Sequence, residues 1–553
     1  MTSTRTGGRI LVDNLLAQGC DRIFTVPGES FLAVLDALHD SPEVDLVVCR
    51  QEGGVSFMAE ADGKMTGRPG VAFVTRGPGA TNASIGVHVA FQDSTPMILF
   101  IGDVARADRD REGFQEIDFA AMFGPLAKWA ARIDDAARIP EYVARAYATA
   151  MSGRPGPVVL ALPEDMLRDE VEAVDRAKVA PPVQPADPMA VSTLISLLQD
   201  ACSPVAIVGG AGWDGAASHH FTAWAERVGI PVAAAFRRQD AVPNDCAVYA
   251  GNLGYGPNPK LLERVRNADL LLVVGPRLGE ATTDGYTLIT PDHPGQTLVH
   301  VHPDPNELNR VYKTCLPICA DMREFAELVE SWEDEVIHFD AGAEAHAEWL
   351  DWATPKPREA ALDLGPCVTA LREALPADTI VCNGAGNFSG WFHRYWHYAA
   401  LPCQLAPTNG SMGYGLPAGV AAAIRFPERQ VLVPSGDGDF LMNGQELATA
   451  VRYGASLLVL VIDNGSYGTI RMHQERDYPE RISGTELANP DFAALARAFG
   501  AWAETVERTE EFAPALARAM AEKGVRLLHL KTDVEQITNA TTISKLRERS
   551  RAH

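Results

Sequence analysis

Two polar segments, each following an apolar run, contain residue types that bind a divalent cation. Asp437 follows the run 431–433, and Asn464 follows the run 457–462. Because the stretch 445–453 between them is helix-like, the sequence predicts two parallel strands joined by a helix. Ligands of such sheets bind beyond the carboxyl ends of the strands, so the carboxylate and the amide oxygen are expected to meet there. Hard oxygen ligands with little protein charge are typical of Mg²⁺ that also holds a phosphate.

The segment around Asp437 also has the glycines that a bound diphosphate would need. Gly436 and Gly438 flank the carboxylate and would let the backbone approach a diphosphate closely. Gly-Asp-Gly alone is a common turn. The second polar strand end, one helix and one strand further along the chain, favours a ligand site over a simple turn.

Length and charge limit the class of protein. The 553 residues suggest about three domains. With 48 Lys and Arg against 72 Asp and Glu, the net charge is −24, which argues against nucleic acid or an anionic membrane as a partner. Residues 1–8 have no apolar core of signal-peptide type, and the apolar runs are too short to span a bilayer, so a cytoplasmic protein is expected. The nine cysteines show no zinc-type pairing and are expected to be thiols in a reducing compartment.

Apolar runs alternate with helix-like segments along the whole chain. This alternation predicts an α/β fold of three doubly wound parallel-sheet domains. We expect these domains to cover 1–172, 190–335 and 360–545. The segment 173–189 has four prolines and no apolar period, which is typical of a linker.

The Gly-Asp-Gly segment and the later Asn resemble the cofactor motif of the thiamine-diphosphate-dependent enzymes. The resemblance implies that Asp437, Asn464 and the backbone carbonyl of Ser466 bind Mg²⁺. The three-domain order is similar to that of the decarboxylase and carboligase group of this family. In that group the first domain binds the aminopyrimidine of the cofactor and the third binds its diphosphate.

Glu52 follows a strand-like run and opens a predicted helix, where the family has a glutamate. The resemblance implies that its carboxyl group shares a proton with the pyrimidine ring and favours the imino tautomer, whose nitrogen removes the thiazolium proton. A glutamate stabilised by the helix dipole is the alternative interpretation. Many relatives have a histidine before this glutamate; here Gln51 stands there, and we expect it to alter proton traffic at the edge of the site.

Further residues match family positions that contact the cofactor. Met412, in a Gly-x-Met-Gly-x-Gly-Leu-Pro-Ala pattern, resembles the apolar side chain that holds the cofactor bent; a core methionine is the alternative. The segment 384–388 resembles the family's upstream diphosphate loop. The cofactor-binding residues implied by the resemblance are Glu52, Gly386, Asn387, Phe388, Met412, Gly436, Gly438, Asp439, Tyr467 and Gly468, of which Tyr467 and Gly468 would add backbone donors.

The first domain most resembles the acetolactate synthases. The segments 77–82, 91–96 and 114–116 reproduce the first-domain signature of that branch. The resemblance implies that Gln115 hydrogen-bonds an intermediate and that Lys128 attracts a 2-oxo acid carboxylate. Surface or structural roles are the alternatives for both side chains.

Two residues of the first domain depart from the synthase pattern. Arg76 replaces a small residue before the Gly-Pro-Gly segment, and Glu29 also stands where the synthases have small residues. A carboxylate at Glu29 would repel a second acidic substrate or supply a proton. The absence of a His-His pair near 105–115 argues against the pyruvate decarboxylase type, and the stretch 535–542 differs from the synthase ending.

The middle domain bears on a second cofactor. The segment 274–280 resembles the strand end that holds FAD in some synthases, and Arg277 would meet a nucleotide phosphate; the residues after it depart from the pattern, so FAD stays open. No Gly-x-Gly-x-x-Gly follows the strand-like run 204–208, which argues against a flavin or NAD oxidoreductase.

Together these resemblances imply a thiamine-diphosphate-dependent carboligase that decarboxylates a 2-oxo acid such as pyruvate and adds the product to a second carbonyl. A decarboxylase without ligation, or a lyase of 2-hydroxy ketones or acyl-CoA thioesters, is the alternative. The family implies a homodimer or homotetramer in which Glu52 faces the metal site of a partner subunit. A catalytically silent relative is disfavoured because Glu52, Asp437, Asn464 and Met412 are all present.

Overall fold

The computed structural model describes residues 4–332, 337–399 and 401–551. Three sheets of six parallel strands form the framework, each flanked by helices, which confirms the predicted α/β class with three doubly wound domains. The predicted domain boundaries stay predictions. No helix in the described parts of the chain is long and apolar enough to cross a membrane.

The chain folds into two compact units. The first unit contains one six-stranded sheet, and the second contains the other two. The first unit consists of residues 1–182, 416–427 and 443–455, and the second of residues 183–415, 428–442 and 456–553.

The first unit is built on a sheet whose central strands are wholly buried, because helices cover both of its faces. Its elements are β1 (Thr4–Thr6), α1 (Gly7–Ala17), β2 (Arg22–Thr25), α2 (Leu32–His39), β3 (Asp45–Val48), α3 (Glu52–Thr66), β4 (Gly70–Val74), α4 (Gly77–Asp93), β5 (Met97–Asp103), α5 (Phe119–Phe123), β6 (Trp129–Arg132), α6 (Ile139–Met151), β7 (Pro157–Pro163) and β8 (Glu170–Glu172). The strand order is β3-β2-β4-β5-β7-β6, and β1 pairs with β8 in a separate antiparallel ribbon.

The first sheet of the second unit has the strand order β11-β10-β9-β12-β13-β14, all parallel. Its elements are α7 (Pro188–Asp200), β9 (Pro204–Val208), α8 (Gly215–Val228), β10 (Val232–Ala234), β11 (Tyr249–Asn252), α9 (Pro259–Asn267), β12 (Leu270–Val274), β13 (Thr297–His302), β14 (Leu316–Cys319), α10 (Met322–Glu330) and α11 (Ala341–Trp352).

The last sheet has the order β16-β15-β17-β18-β20-β19. The elements of this part of the chain are α12 (Leu364–Ala374), β15 (Ile380–Cys382), α13 (Ser389–Tyr395), β16 (Gln404–Leu405), α14 (Gly415–Arg425), β17 (Val431–Gly436), α15 (Asp437–Leu441), α16 (Leu447–Arg452), β18 (Leu457–Asp463), α17 (Gly468–Asp477), α18 (Phe492–Ala498), β19 (Trp502–Val506), α19 (Thr509–Ala521), β20 (Val525–Lys531) and α20 (Ile543–Arg551). Helices α14, after its first residue, and α16 pack within the first unit.

Strands β17 and β18 are adjacent and parallel, as the apolar runs predict. The helix expected over 445–453 is present as α16, which a 3-10 turn over Gly444–Glu446 precedes. The five-residue α15 is a separate short helix before it. Asn443 separates the two, with a φ of −139° that is outside the helical range.

Candidate cofactor and metal site

The carboxyl ends of β17 and β18 bring the two predicted metal ligands to one edge of the last sheet. Gly436 pairs with Ile462 in register, so Asp437 and Asn464 follow neighbouring strand ends. Asp437 is the first residue of α15, and its side chain is only 3% exposed. The predicted βαβ geometry around these two residues is therefore present.

A hydrogen-bonded chain of side chains surrounds the carboxylate of Asp437. The amide nitrogen of Asn489 donates to Oδ2 of Asp437 and to Oδ1 of Asp463, both at 2.7 Å. His529 lies 2.8 Å from the other oxygen of Asp463. Burial, with a further contribution from the negative charge of Asp463, raises the pKa of Asp437 to about 6. Sequence reasoning missed Asn489 and His529, because neither follows a strand in a recognisable motif.

The residues present fit a hard divalent cation. A buried carboxylate with a raised pKa and an acidic neighbour is stabilised by a bound cation. Asp437, the amide oxygen of Asn464 and the carbonyl of Ser466 would supply three oxygen ligands, leaving positions for a phosphate and water. Within the described ranges, no three His, Cys, Asp or Glu side chains form a metal-binding group, so the site would depend on amide and carbonyl oxygens.

Close packing explains why glycines flank Asp437. A Cβ atom added to Gly438 would lie 2.6 Å from the ring of Tyr467, and one on Gly436 would lie 3.0 Å from the ring of Phe388. The glycines are therefore required by neighbouring aromatic rings as well as by the diphosphate that the sequence predicts beside them. Gly386 packs on the same Phe388 ring, at 2.8 Å from a built Cβ.

Asp439 connects two loops that the sequence assigns to the cofactor. Its Oδ1 accepts hydrogen bonds from the backbone N–H groups of Gly413 at 2.8 Å and Ala385 at 3.1 Å. Burial raises its pKa to about 6. Because this oxygen binds backbone, Asp439 holds the loop of Met412 beside the segment 384–388. Met412 itself is half-buried, unlike a core methionine.

The remaining predicted diphosphate contacts are tied to the rest of the domain. Asn387 donates to the carbonyl of Ile537 at 3.0 Å and accepts from the hydroxyl of Thr469 at 3.0 Å. The backbone N–H of Tyr467 donates to the carbonyl of Thr485 at 2.9 Å. A neighbouring loop therefore accepts from this N–H group, and the predicted contact of Tyr467 with the cofactor stays a prediction. Gly468 begins α17.

Glu52 is the first residue of α3, at the carboxyl end of β3 in the first unit. Its Oε2 accepts a hydrogen bond from the amide nitrogen of Asn82 at 2.9 Å. Gln51 caps the helix: its Oε1 accepts from the N–H groups of Gly53 at 2.6 Å and Gly54 at 3.2 Å. Gln51 therefore stabilises the start of α3, and its expected effect on proton transfer stays a prediction.

A second buried carboxylate supports the turn before Glu52. Glu446 is fully buried, and its Oε1 accepts from the backbone N–H groups of Arg50 and Gln51, both at 3.1 Å. Thr449 donates to its other oxygen at 2.5 Å. Burial raises the pKa of Glu446. Sequence reasoning missed this residue, because the contact joins segments almost four hundred positions apart.

The structure gathers three of the four predicted catalytic residues at one edge of the first sheet. Glu29 follows β2, Glu52 follows β3 and Gln115 follows β5, and these strands are parallel. Lys128 directly precedes β6, so it lies at the opposite, amino-terminal edge. Its ammonium group donates to the carbonyl of Ser152 at 2.6 Å. The predicted role of Lys128 toward a 2-oxo acid carboxylate stays a prediction.

The switch point of the middle sheet, between β9 and β12, is filled by backbone and an indole ring. A Cβ added to Gly210 would lie 2.2 Å from the carbonyl of Gly275. The indole of Trp213 donates to the carbonyl of Gly209 at 2.8 Å. Nucleotides bind at such switch points in open α/β sheets. FAD binding at Arg277 stays a prediction.

Comparison with known proteins adds independent findings. Residues 5–122, 191–329 and 384–530 match family models for the N-terminal, central and C-terminal domains of thiamine pyrophosphate enzymes, the outer two being described as TPP binding domains. The acetolactate synthase large subunit of Parasynechococcus marenigrum is 32% identical, over 90% of this chain and 82% of that protein. Acetolactate synthase of Bacillus subtilis is 29% identical over 96% and 94% of the two chains. The isozyme 2 large subunit of Escherichia coli is 29% identical over 95% of each.

Proposed function

Because the chain belongs to the thiamine pyrophosphate enzyme family, we propose that it is an acetolactate synthase-like carboligase. It would decarboxylate a 2-oxo acid such as pyruvate and join the remaining acyl unit to a second carbonyl. The observation that carries this proposal is the buried carboxylate of Asp437 at a parallel strand end, in a chain similar to acetolactate synthases over nine-tenths of its length.

In this proposal the third domain binds the charged end of the cofactor. Asp437, Asn464 and the carbonyl of Ser466 hold Mg²⁺, and Asn489 fixes the orientation of the Asp437 carboxylate. Thiamine diphosphate, when bound, supplies a carbon nucleophile and an electron sink for decarboxylation. Met412, kept in place through Asp439 and Gly413, would press on the cofactor from one side.

The first domain would handle protons and substrate. Asn82 holds Oε2 of Glu52, which leaves Oε1 to share a proton with a ring nitrogen of the pyrimidine. Glu446 keeps the preceding turn rigid by binding its backbone N–H groups. Such preorganisation supports proton transfer, because a misplaced base loses much of its efficiency.

A second copy of the chain is part of the proposal. Glu52 is half-buried and Asn82 is exposed in one chain, so this edge is open to a partner. We propose a homodimer or homotetramer with shared active sites, in which the partner subunit covers this edge. Sedimentation analysis at several protein concentrations measures this state, and a monomer with full activity would contradict it.

Glu29 favours one alternative reaction. It is an exposed carboxylate at the same edge as Glu52. A carboxyl group there would protonate the intermediate carbanion and release an aldehyde, which is decarboxylation without ligation. Replacement of Glu29 by Gln would then raise the fraction of ligated product.

Product analysis tests the proposal. The protein is supplied with thiamine diphosphate, Mg²⁺ and pyruvate, and carbon dioxide and acetolactate are quantified. Acetolactate formation that needs both cofactors would support the carboligase. Carbon dioxide with acetaldehyde would favour the decarboxylase. Cofactor binding without turnover of pyruvate would reject the acetolactate reaction and direct the search to larger 2-oxo acids and acyl-CoA substrates.

A further inference from the structure

A long connection crosses the carboxyl edge of the first sheet, and it is held in a strained conformation. We call residues 104–118, between β5 and α5, the strap. Three of its non-glycine residues, Asp110, Glu112 and Gln115, have φ between +55° and +65°, which L-residues rarely adopt. The carboxylate of Glu116 accepts from the N–H groups of Asp110 and Gly113, both at 2.8 Å. Phe114, at its outer side, is 70% exposed.

Arg76 ties the strap to the sheet. Its side chain is buried, and Nη2 lies 2.5 Å from Oε2 of Glu164, which follows β7. Nη1 donates to the backbone carbonyl of Phe114 at 3.3 Å. One guanidinium therefore binds a carboxylate and the strap together, which its fixed fork of donors allows and a lysine does not.

The turn after Arg76 makes a second attachment. The N–H of Gly77 donates to the carbonyl of Gln115 at 3.0 Å. A Cβ atom on Gly77 would lie 2.8 Å from that same oxygen, so only glycine allows this approach. Arg76 and Gly77 thus fix the backbone of two successive strap residues.

The same turn also contacts the carboxylate of Glu52. A Cβ atom added to Gly79 would lie 3.6 Å from Oε1 of Glu52, and Asn82, one turn further along α4, binds Oε2. The start of α4 is therefore shared by Glu52 and the strap. The strap is therefore attached beside Glu52, but the bond of Glu52 to Asn82 does not involve the strap.

We propose that Arg76, oriented by Glu164, is a positioning residue that sets where the strap presents Phe114 and Gln115, and thereby selects the second carbonyl substrate. The proposal rests on the proposed carboligase function. It also accounts for a departure from the synthase pattern, in which a small residue stands at the position of Arg76. A small side chain makes neither the ion pair nor the bond to the strap, so the strap of this chain is attached differently.

The test compares Arg76→Ser with two further variants of the full-length protein, loaded with thiamine diphosphate and Mg²⁺. Arg109→Ser is the matched control, because Arg109 lies on the strap, is exposed and pairs with Asp134 on the surface. The double variant Arg76→Glu/Glu164→Arg restores an ion pair but places a carboxylate, which cannot donate, at the position from which Arg76 binds Phe114. It separates the ion pair from the attachment of the strap.

Pyruvate is given together with a competing second carbonyl, first 2-oxobutyrate and then acetaldehyde, and the ratio of ligated products is measured. We expect Arg76→Ser to change this ratio about tenfold or more, since small misplacements of a positioned substrate are costly. Carbon dioxide release from pyruvate should stay within about threefold, because Glu52 keeps its bond to Asn82. The double variant should behave like Arg76→Ser, and Arg109→Ser like the wild type.

Chymotrypsin cleavage after Phe114 gives a readout that does not depend on activity. We expect faster cleavage in Arg76→Ser and in the double variant, and unchanged cleavage in Arg109→Ser. If Arg76→Ser does not fold, Glu164→Gln serves in its place, because the amide keeps a hydrogen bond but removes the charge, and the same shift in product ratio, smaller in size, is expected.

Two outcomes overturn the proposal. Either the product ratio stays that of the wild type while all rates fall together, or Arg109→Ser shifts the ratio as much as Arg76→Ser. Failure of the proposed function would be recognised separately, because the wild type itself would then form no ligated product from any 2-oxo acid with both cofactors present.

Discussion

The carboxyl edges of the first and last sheets both present carboxylates, but in different environments. At the last sheet, Asp437 and Asp439 are almost completely buried, and burial raises the pKa of each to about 6. At the first sheet, Glu29 is exposed and Glu52 is half-buried. A buried carboxylate with an acidic neighbour is costly until a cation arrives. In the proposed function the buried edge of the last sheet binds the cation, and the more open edge of the first sheet receives substrate and transfers protons.

The supporting residues differ in the same way. In the last domain the side chain of Asn489 binds the carboxylates of Asp437 and Asp463, and His529 lies within hydrogen-bond distance of Asp463. In the first domain Glu446 and Gln51 accept hydrogen bonds from backbone N–H groups instead, and Asn82 donates to one oxygen of Glu52. Variants at the two edges should thus fail in different measurements.

Glu52→Gln should have the largest effect on turnover. The amide keeps the hydrogen bond from Asn82 in one orientation but no longer exchanges a proton. Loss of a general acid–base group lowers the rate by about 10²- to 10⁴-fold. Carbon dioxide release from pyruvate measures this, and titration of thiamine diphosphate by fluorescence quenching should show nearly unchanged affinity. If Glu52→Gln instead loses affinity for thiamine diphosphate but keeps its turnover per bound cofactor, then the first-sheet edge binds the cofactor and does not transfer the proton.

Asp437→Asn should show the opposite pattern. It removes the negative charge that the cation requires, and loss of one partner of a buried charge pair weakens binding by about 100-fold or more. Titration of Mg²⁺ in the presence of thiamine diphosphate measures this affinity. Asp477→Asn, an exposed position paired with Arg476, is the control. If both variants bind Mg²⁺ like the wild type, Asp437 is not a ligand.

The comparison also shows what the sequence could predict. The ends of the apolar runs located Asp437 and Asn464, because parallel strand ends necessarily meet at one edge. Lys128 was placed by resemblance alone, and a motif match does not tell whether a residue precedes or follows its strand. Its placement needed the observation that β6 begins directly after it.

Contacts between distant segments were beyond the sequence. Glu446 lies in the stretch that the sequence predicts to be a connecting helix. Its neighbours in the sequence do not indicate that it binds the turn before Glu52. One oxygen of Asp439 binds two backbone N–H groups of other loops, a contact that the sequence does not indicate, and its predicted contact with the cofactor stays a prediction. The direction of a side chain at a Gly-rich turn depends on which loop packs against the turn, and hydrophobic periodicity does not indicate which loop that is.

The raised pKa of Asp437 gives Mg²⁺ binding a pH dependence. A carboxylate whose pKa is about 6 in the metal-free folded protein is largely protonated at pH 5, and a metal binds the ionised form. Affinity should therefore fall as pH falls through 6, by about tenfold for each unit below that value. The folding stability of the metal-free protein depends on pH in the opposite direction from Mg²⁺ affinity. The raised pKa favours folding at acid pH and loses its contribution as pH rises from about 4 through 6.

Two measurements test this pH dependence. Mg²⁺ titrations at pH 5 and pH 7 give the change in affinity, and the wild type should lose more affinity at pH 5 than Asp437→Asn does. Melting temperatures of both metal-free proteins measure how the folding stability depends on pH. As pH rises through 6, the melting temperature of the wild type should fall relative to that of Asp437→Asn. A difference in melting temperature that does not depend on pH would contradict ionisation of Asp437 in this range.

Gln51→Ala should have the smallest effect on turnover. It tests whether Gln51 is only structural or takes part in proton transfer. The variant removes the cap of α3, which accepts from the N–H groups of Gly53 and Gly54, and should lower the free energy of unfolding by about 1 kcal/mol. Turnover should fall by no more than about threefold, because Glu446 still binds the backbone of the turn. Asp491→Ala, which removes the cap of α18, is the matched control for lost stability. If Gln51→Ala lowers turnover as strongly as Glu52→Gln while Asp491→Ala leaves it unchanged, then Gln51 takes part in moving the proton, and the first-sheet edge has two catalytic groups instead of one.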